Sequence, residues 1–352
     1  MLWRAAVLIT CLLAAAAGCP QNALALSYQV HDLGVLPGTV TTWAESINDS
    51  GQVVGWAQNA QQVRYPVIWD SSGNISRIGS LTGEAKAINN AGQVTGYPGF
   101  LWSPAAGYRA IGLTAGYGIN SRGQVSGFVN HRAAIWNPDG TITNLGEIPG
   151  QGTSYGWEIS DSGAVAGFYE VSTTSSVRRP FKWTPETGLV RLPVLSSYFS
   201  HALGINSSGQ VCGDAYESPG KSYPVVWEPD GTLRKLGVPQ SKYFYASGTF
   251  INDAGYVVGT ASDFGGSGGP PAFWTPDGTL SLLDVLPGYD YGEALCINEK
   301  KQIVGYCTSQ TTLQSHAVLW EPIPEPSALL ALLCGVAGVA WRRRRVRPVP
   351  TP

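Results

Sequence analysis

A nine-residue motif repeated seven times constrains this chain more than any other feature. It is clearest at Ile251-Asn252-Asp253-Ala254-Gly255-Tyr256-Val257-Val258-Gly259, and related copies begin at Ile47, Ile88, Ile119, Ile159, Ile205 and Ile297. Each copy reads as a β-hairpin: a strand ends at Ile-Asn, two undemanding residues follow, and a Gly opens a second strand of alternating Val. Asn suits the first position of a type I turn and Gly the last. At Gly51, Gly92, Gly123, Gly163, Gly209 and Gly255 the missing side chain allows the positive φ that closes such a hairpin. In the seventh copy Lys301 occupies that place.

Two further marks keep phase with the hairpin. A Trp follows every copy (Trp69, Trp102, Trp136, Trp183, Trp227, Trp274, Trp320), usually after an apolar pair such as Val67-Ile68, and reads as a third strand. Pro-Asp-Gly follows three of these Trp residues, at Pro138, Pro229 and Pro276, and turns the chain back into a fourth strand. That strand ends at a Leu-Gly-like step: Leu33-Gly34, Ile78-Gly79, Ile111-Gly112, Leu145-Gly146, Leu192-Pro193, Leu236-Gly237 and Leu283-Asp284.

Successive hairpin Ile residues lie 41, 31, 40, 46, 46 and 46 positions apart. That is the length of a four-stranded propeller blade, and too long for a leucine-rich or hexapeptide coil. The phase is more telling than the period. The chain opens with a lone fourth-strand copy, Tyr28 to Gly34, and ends with a lone third-strand copy, His316 to Trp320. An open solenoid gains nothing from such a split, whereas a ring closes by it and loses its exposed sheet edges. The expectation for residues 26–321 is therefore an all-β, seven-bladed β-propeller of four-stranded antiparallel blades, closed by pairing the N-terminal strand with the C-terminal blade.

Three residues before each hairpin Ile stands a small residue: Ala44, Ala85, Gly116, Gly156, Ala202, Gly248 or Ala294. Seven strands converging on one axis leave little room, so these positions are expected to be buried. The hairpin turns and the Pro-Asp-Gly turns would share one uniform face of the ring. The other face would carry the variable connections, with long loops at Tyr169 to Arg179, Asp214 to Ser222 and Ala261 to Gly269. Such a division between scaffold and loops is the usual one between stability and recognition.

The two ends of the chain read as targeting segments. Residues 1–25 combine Arg4, an apolar run from Ala5 to Ala17, and Ala23-Leu24-Ala25, the pattern of a signal peptide and its cleavage site. A rival cleavage at Ala16-Ala17-Gly18-Cys19 would make a lipoprotein. Residues 322–352 place Pro324, Glu325 and Pro326 before an apolar run, Ala328 to Trp341, and then Arg342 to Arg345. Fourteen helical residues reach about 21 Å, a marginal membrane span that its flanks would assist. Arginines after the span would stay cytoplasmic and leave the ring outside.

Cysteine and charge narrow the classes of function. Three Cys lie within the ring, and Cys212 stands where other copies have Val54 or Val258, which marks a small core hydrophobe. Cys296 and Cys307 flank one hairpin out of register across its turn, which disfavours a disulfide. No CxxC pair or His cluster suggests a metal or cofactor. Residues 26–323 hold 16 Lys plus Arg against 23 Asp plus Glu, a net of −7, and so acidic a ring is a poor ligand for nucleic acid.

Two resemblances follow from these residues. The tail, Pro324-Glu325-Pro326 with its apolar span and Arg cluster, resembles the PEP-CTERM sorting signal that exosortases handle in exopolysaccharide-producing Gram-negative bacteria. That resemblance implies an exosortase-type processing enzyme as partner, membrane attachment through the span before processing, and a final place on the outer surface or in the extracellular matrix. The repeats resemble the HAF family of extracellular repeats over most of residues 28–320, through Leu33-Gly34-Val35-Leu36-Pro37-Gly38, Leu283-Asp284-Val285-Leu286-Pro287-Gly288 and His316-Ala317-Val318-Leu319-Trp320. Pro replaces the His step at Pro66, Pro224 and Pro271, so no role attaches to it, and the family implies no particular activity.

Candidate ligand-binding residues come from the aromatics ahead of the innermost strands: Trp43, Tyr117, Tyr155, Trp157, Tyr198, Tyr245 and Tyr291, with Phe199, Tyr243, Phe244 and Tyr289 beside them. Their flat faces suit sugar rings while OH and NH groups reach hydroxyls; the alternative use of the same rings is as wedges between blades. The sequence thus favours a non-catalytic envelope or matrix protein that binds or scaffolds an extracellular ligand, with exopolysaccharide the leading class. The alternative is a secreted carbohydrate-active hydrolase or lyase at the channel mouth, for which Glu45, Glu158 and Glu293 fall in or beside innermost strands. No copy pairs two carboxylates, and neither GxSxG nor HExxH occurs. The turn Asn residues lack the clustered Asp of calcium sites.

Overall fold

The structure, a computed structural model, describes residues 26–323 apart from 149, 240, 241, 243 and 264–267. The signal segment 1–25, Tyr243, and the sorting tail with Pro324, Glu325, Pro326 and the apolar run to Trp341 lie outside the described residues. No helix among the described residues is long and apolar enough to cross a membrane.

Residues Tyr28–Glu321 form one compact unit of seven four-stranded sheets. The chain enters through β1 (Tyr28–Asp32). Blade 1 is β2 (Thr41–Ile47), β3 (Val53–Gln58), β4 (Arg64–Trp69) and β5 (Ile75–Arg77). Blade 2 is β6 (Glu84–Ile88), β7 (Val94–Tyr97), β8 (Phe100–Ser103) and β9 (Gly107–Ala110). Blade 3 is β10 (Ala115–Ile119), β11 (Val125–Val129), β12 (Arg132–Trp136) and β13 (Ile142–Asn144). Blade 4 is β14 (Ser154–Ile159), β15 (Val165–Ser172), β16 (Ser175–Thr184) and β17 (Gly188–Arg191). Blade 5 is β18 (Ser200–Ile205), β19 (Val211–Ser218), β20 (Lys221–Trp227) and β21 (Leu233–Lys235). Blade 6 is β22 (Tyr245–Ile251), β23 (Val257–Ser262), β24 (Pro271–Trp274) and β25 (Leu280–Leu282). Blade 7 is β26 (Tyr291–Ile297), β27 (Ile303–Thr308) and β28 (Ser315–Pro322), completed by β1 in the order β1-β28-β27-β26. The fold is the expected seven-bladed propeller, closed by its first strand.

Each repeated mark has a structural cause. In blade 6 the Gly255 N–H donates to the Asn252 carbonyl at 3.0 Å, and Gly255 takes φ +82°. The turn imposes the same geometry on Lys301, which sits at φ +64° despite its side chain. The Gly that ends each Val-Val-Gly step faces the small residue of the innermost strand so closely that no side chain fits. A Cβ on Gly55 would lie 1.9 Å from the Trp43 carbonyl oxygen, and one on Gly213 would lie 1.8 Å from that of His201. The small residues opposite are buried in all seven copies, as expected.

The Trp and Leu-Gly marks answer one another across blades. Trp69 Nε1 donates to the Leu33 carbonyl, Trp227 to Pro193, Trp274 to Gly237 and Trp320 to Asp284, each at 2.7–2.8 Å and each reaching the end of the preceding blade's outer strand. The hydrophobic core is accordingly laid between blades: Ala44, Val53 and Trp69 of blade 1 pack with Val304 and Ala317 of blade 7. Cys212, Cys296 and Cys307 are buried free thiols, and Cys212 occupies the core between blades 5 and 6.

Two segments read as loops from sequence are strand instead. Residues 169–179 form the extended end of the β15–β16 hairpin, with Tyr169 opposite Arg179 and Glu170 opposite Arg178. Residues 214–222 extend β19–β20 in the same way, Asp214 facing Pro224 and Tyr216 facing Ser222. Alternating side chains such as Tyr169-Glu170-Val171 carry a strand once a partner lies alongside.

Candidate functional site

The seven innermost strands β2, β6, β10, β14, β18, β22 and β26 each carry a β-bulge one residue after the small position, where the pairing skips from Ala44 to Ser46 and equivalently in every blade. A bulged residue is released from the ladder and its side chain is re-aimed. Here the released residues are Glu45, Lys86, Tyr117, Trp157, Leu203, Thr249 and Leu295, and all seven line one cavity of about 240 Å³ in the channel. The backbone device is repeated sevenfold while the side chains it presents all but differ.

One step nearer the variable face lies a tier of cross-strand pairs: Trp43/Trp56, Glu84/Tyr97, Ala115/Phe128, Tyr155/Phe168, His201/Asp214, Ser247/Thr260 and Glu293/Tyr306. The second member of each pair directly follows the Gly of Val-Val-Gly. Below the bulges, at the uniform face, the hairpin Asn residues stitch neighbouring blades. Asn298 Nδ2 donates to the Asn48 carbonyl, Asn48 to Asn89, Asn89 to Asn120, Asn206 to Asn252 and Asn252 to Asn298, all at 2.9–3.2 Å. Asn120 reaches the Ser160 carbonyl, but Ser160 turns its hydroxyl to Ser162 and its own turn.

The three carboxylates expected near the channel do meet there, in different states. Glu45 accepts from Trp56 Nε1 at 2.9 Å and from Lys86 Nζ at 2.8 Å. Lys86 also bonds Glu84 at 2.7 Å, and Arg64 bonds the other Glu84 oxygen. Burial opposes ionisation of Glu84, but Lys86 and Arg64 outweigh it and hold that carboxyl below the usual range. Burial likewise opposes the Lys86 charge, and Glu45 with Glu84 raises its pKa nevertheless. Glu293 is pushed up by burial, partly offset by the Tyr306 hydroxyl at 3.0 Å, and raised further by the Glu45 charge. Glu158 makes no ion pair among the described residues. Burial moves it from the ordinary 4.5 to about 8, opposed only by the Ile159 N–H. Its carboxyl occupies the space left open by Gly118 of blade 3, where a Cβ would lie 2.4 Å from Oε1.

The aromatic candidates divide. Tyr117, Tyr155 and Trp157 come together, with Tyr117 and Trp157 stacked at 4.5 Å and Tyr155 and Trp157 both against Phe168 at 5.2 and 5.5 Å. They wall a cavity of about 450 Å³ above the channel, together with Phe168, Arg178, His201, Leu203, Asp214 and Ser247. Trp43 lies elsewhere, stacked at 3.7 Å on Tyr306 of the neighbouring blade. Tyr245 meets Tyr216 of blade 5 edge-on at 6.5 Å. Tyr291 lines a separate cleft with Asp263, Gly269 and Asp290, and Tyr198 is an exposed residue whose carbonyl receives Arg179.

Sequence reasoning passed over the polar members of the upper cavity. His201 Nδ1 lies 2.7 Å from Asp214 Oδ1, and Arg178 stands 5.1 Å over the Phe168 ring. Arg178 was hidden by reading its strand as a loop. His201 and Asp214 carried a usable signal: both sit at fixed repeat positions, four before the hairpin Ile and one after the Val-Val-Gly glycine, and His and Asp occur there in blade 5 alone. No group of three or more His, Cys, Asp or Glu suited to a metal ion occurs among the described residues.

Comparison with known proteins bears on the two ends of this description. The PEP-CTERM protein-sorting motif matches residues 322–345, that is, the tail alone. No curated protein matches the chain by sequence. Solved structures of similar shape include a streptogramin B lyase, with 11% identity and a TM-score of 0.56 over 84% of this chain and 98% of that one. Another is the virginiamycin B lyase of Staphylococcus aureus, with 11% identity and a TM-score of 0.57 over 84% of this chain and 100% of that one. At such identity the likeness is one of fold.

Proposed function

We propose that this chain is an exported propeller of HAF-type repeats, cut from its sorting tail by an exosortase-type enzyme, which binds an extracellular saccharide on the variable face of the ring. The observation that carries the binding half is the convergence of Tyr117, Tyr155, Trp157 and Phe168 on one open cavity of about 450 Å³ flanked by hydrogen-bonding groups. Apolar ring faces take the C–H face of a sugar, and convergent polar groups fix its hydroxyls. The sorting motif supports the envelope half, because it accompanies export and processing at the membrane. Retention on the host's own exopolymer tests the reading. Tyr155→Ala should weaken retention about tenfold, equivalent to about 1.4 kcal/mol, with an unchanged melting temperature. A large loss of stability with no selective loss of retention would assign Tyr155 to blade packing instead.

A second reading rests on the channel. A carboxyl whose pKa burial raises, Glu158, shares its cavity with one bonded to a lysine, Glu45, and two carboxyls in unlike environments are what acid-assisted glycoside cleavage uses. Release of reducing ends from the exopolymer, abolished by Glu158→Gln, would establish a hydrolase; its absence leaves the binding reading.

A further inference from the structure

We infer that the upper cavity selects a carboxylated sugar, a uronate, with Arg178 receiving the carboxylate and His201 a neighbouring ring hydroxyl. This rests on the saccharide reading above and names the class of sugar. Arg178 reaches the cavity from β16, with its guanidinium carbon 5.1 Å from the Phe168 centroid. Its Nε is buried with no hydrogen-bond partner, and it makes no ion pair among the described residues. Glu170, directly across the strand, does not neutralise it; that carboxylate receives the Thr153 N–H. A cation's buried N–H without an acceptor is costly, so where one persists a ligand oxygen is its natural partner.

His201 adds a second vacant atom. Asp214 Oδ1 accepts from Nδ1–H, so in the neutral ring Nε2 is an acceptor, and it too is buried without a partner. An acceptor there calls for a hydroxyl donor, and the planar guanidinium fork beside it calls for a planar anion. A uronate carries both on one ring, and its C–H face can lie on Tyr155 and Trp157. A neutral hexose would use the aromatic wall and His201 but leave Arg178 unsatisfied. Asp214 lines the same cavity, yet its Oδ1 is engaged by His201, which directs an incoming anion to the Arg178 side.

Calorimetric titration of the full chain in detergent, with a glucuronate oligosaccharide and its carboxyl-reduced glucose counterpart, tests the inference. The uronate should bind about tenfold or more tightly than the neutral oligosaccharide, the range of a charge-assisted hydrogen bond. Arg178→Gln should abolish that preference while leaving the neutral affinity within about twofold, and Arg178→Lys should keep part of it because charge remains without the fork. Equal affinities in the unsubstituted protein, or a preference that survives Arg178→Gln, would overturn the carboxylate assignment and leave saccharide binding intact. If neither oligosaccharide binds, the saccharide reading falls with it. The preference in the unsubstituted protein decides the matter even where a variant fails to fold.

Discussion

Asn252 serves two structures at once: its Oδ1 accepts the Tyr256 N–H within its own turn, and its Nδ2 donates to the Asn298 carbonyl of the next blade. The turn role was legible, because Asn-x-x-Gly is local chemistry; the stitch was not, because its acceptor lies 46 residues away. At the one copy with Ser, Ser160, the donor is too short to reach blade 5. Ser160→Asn should therefore supply the missing link to Asn206 and stabilise the ring by about 0.5–1.5 kcal/mol, the usual net value of one hydrogen bond. A lower denaturation midpoint for that variant would show that the seam has no room for it. Glu158 makes a different kind of residue-scale prediction. Its pKa is raised on folding from 4.5 to about 8, so between those values the unfolded chain has lost a proton that the folded chain keeps. Stability from this group is complete below about pH 4.5, declines as pH rises, and is exhausted above about pH 8. Glu158→Gln should flatten that descending limb in a series of thermal melts; an unchanged slope would mean that the carboxyl ionises freely.

At the scale of elements, the two marks that looked like separate strand signatures prove in blades 1, 5, 6 and 7 to be halves of one contact. Trp227 is fully buried and its Nε1 donates to the Pro193 carbonyl of blade 4 at 2.8 Å. Trp227→Phe keeps an aromatic ring but leaves a void and an unpaired carbonyl, and should cost about 2–4 kcal/mol in chemical denaturation. A cost below 0.5 kcal/mol, within the usual range for surface changes, would remove the Trp–carbonyl contact from the account of blade docking. The hairpins β15–β16 and β19–β20 show where element reading stopped short. Polar residues at a strand's end look like loop when no partner is in view, and that misreading concealed Arg178, the cation of the upper cavity. The bulges were hidden for a related reason: a bulge is a mismatch of register between two strands, and neither strand alone records it.

Residues Tyr28–Glu321 form a ring whose closure depends on β1 lying beside β28, with the Leu33 N–H donating to the Ala317 carbonyl at 3.0 Å. Because Tyr28–Glu321 already forms a complete compact unit, a chain ending at Ile323 should leave the membrane fraction and appear in the periplasm folded and soluble. Fractionation with limited proteolysis checks this, and a misfolded or membrane-retained product would show that the tail contributes more than sorting.

What the sequence by itself determined is the repeated local chemistry, which gives seven blades, four strands in each and the small residues of the channel strands, together with the split blade that closes the ring and the sorting motif of the tail. Periodicity amplifies the repeated signals, since each of those is written seven times over. What only the tertiary structure decided is everything that differs between blades. Tyr117, Tyr155, Arg178, His201 and Asp214 belong to three blades and share a cavity because those blades are neighbours in the ring, Tyr117 as a bulged residue of β10 and the other four as paired positions of blades 4 and 5. A site assembled across repeats has no spacing of its own in the chain, so its members become neighbours only when the ring is closed.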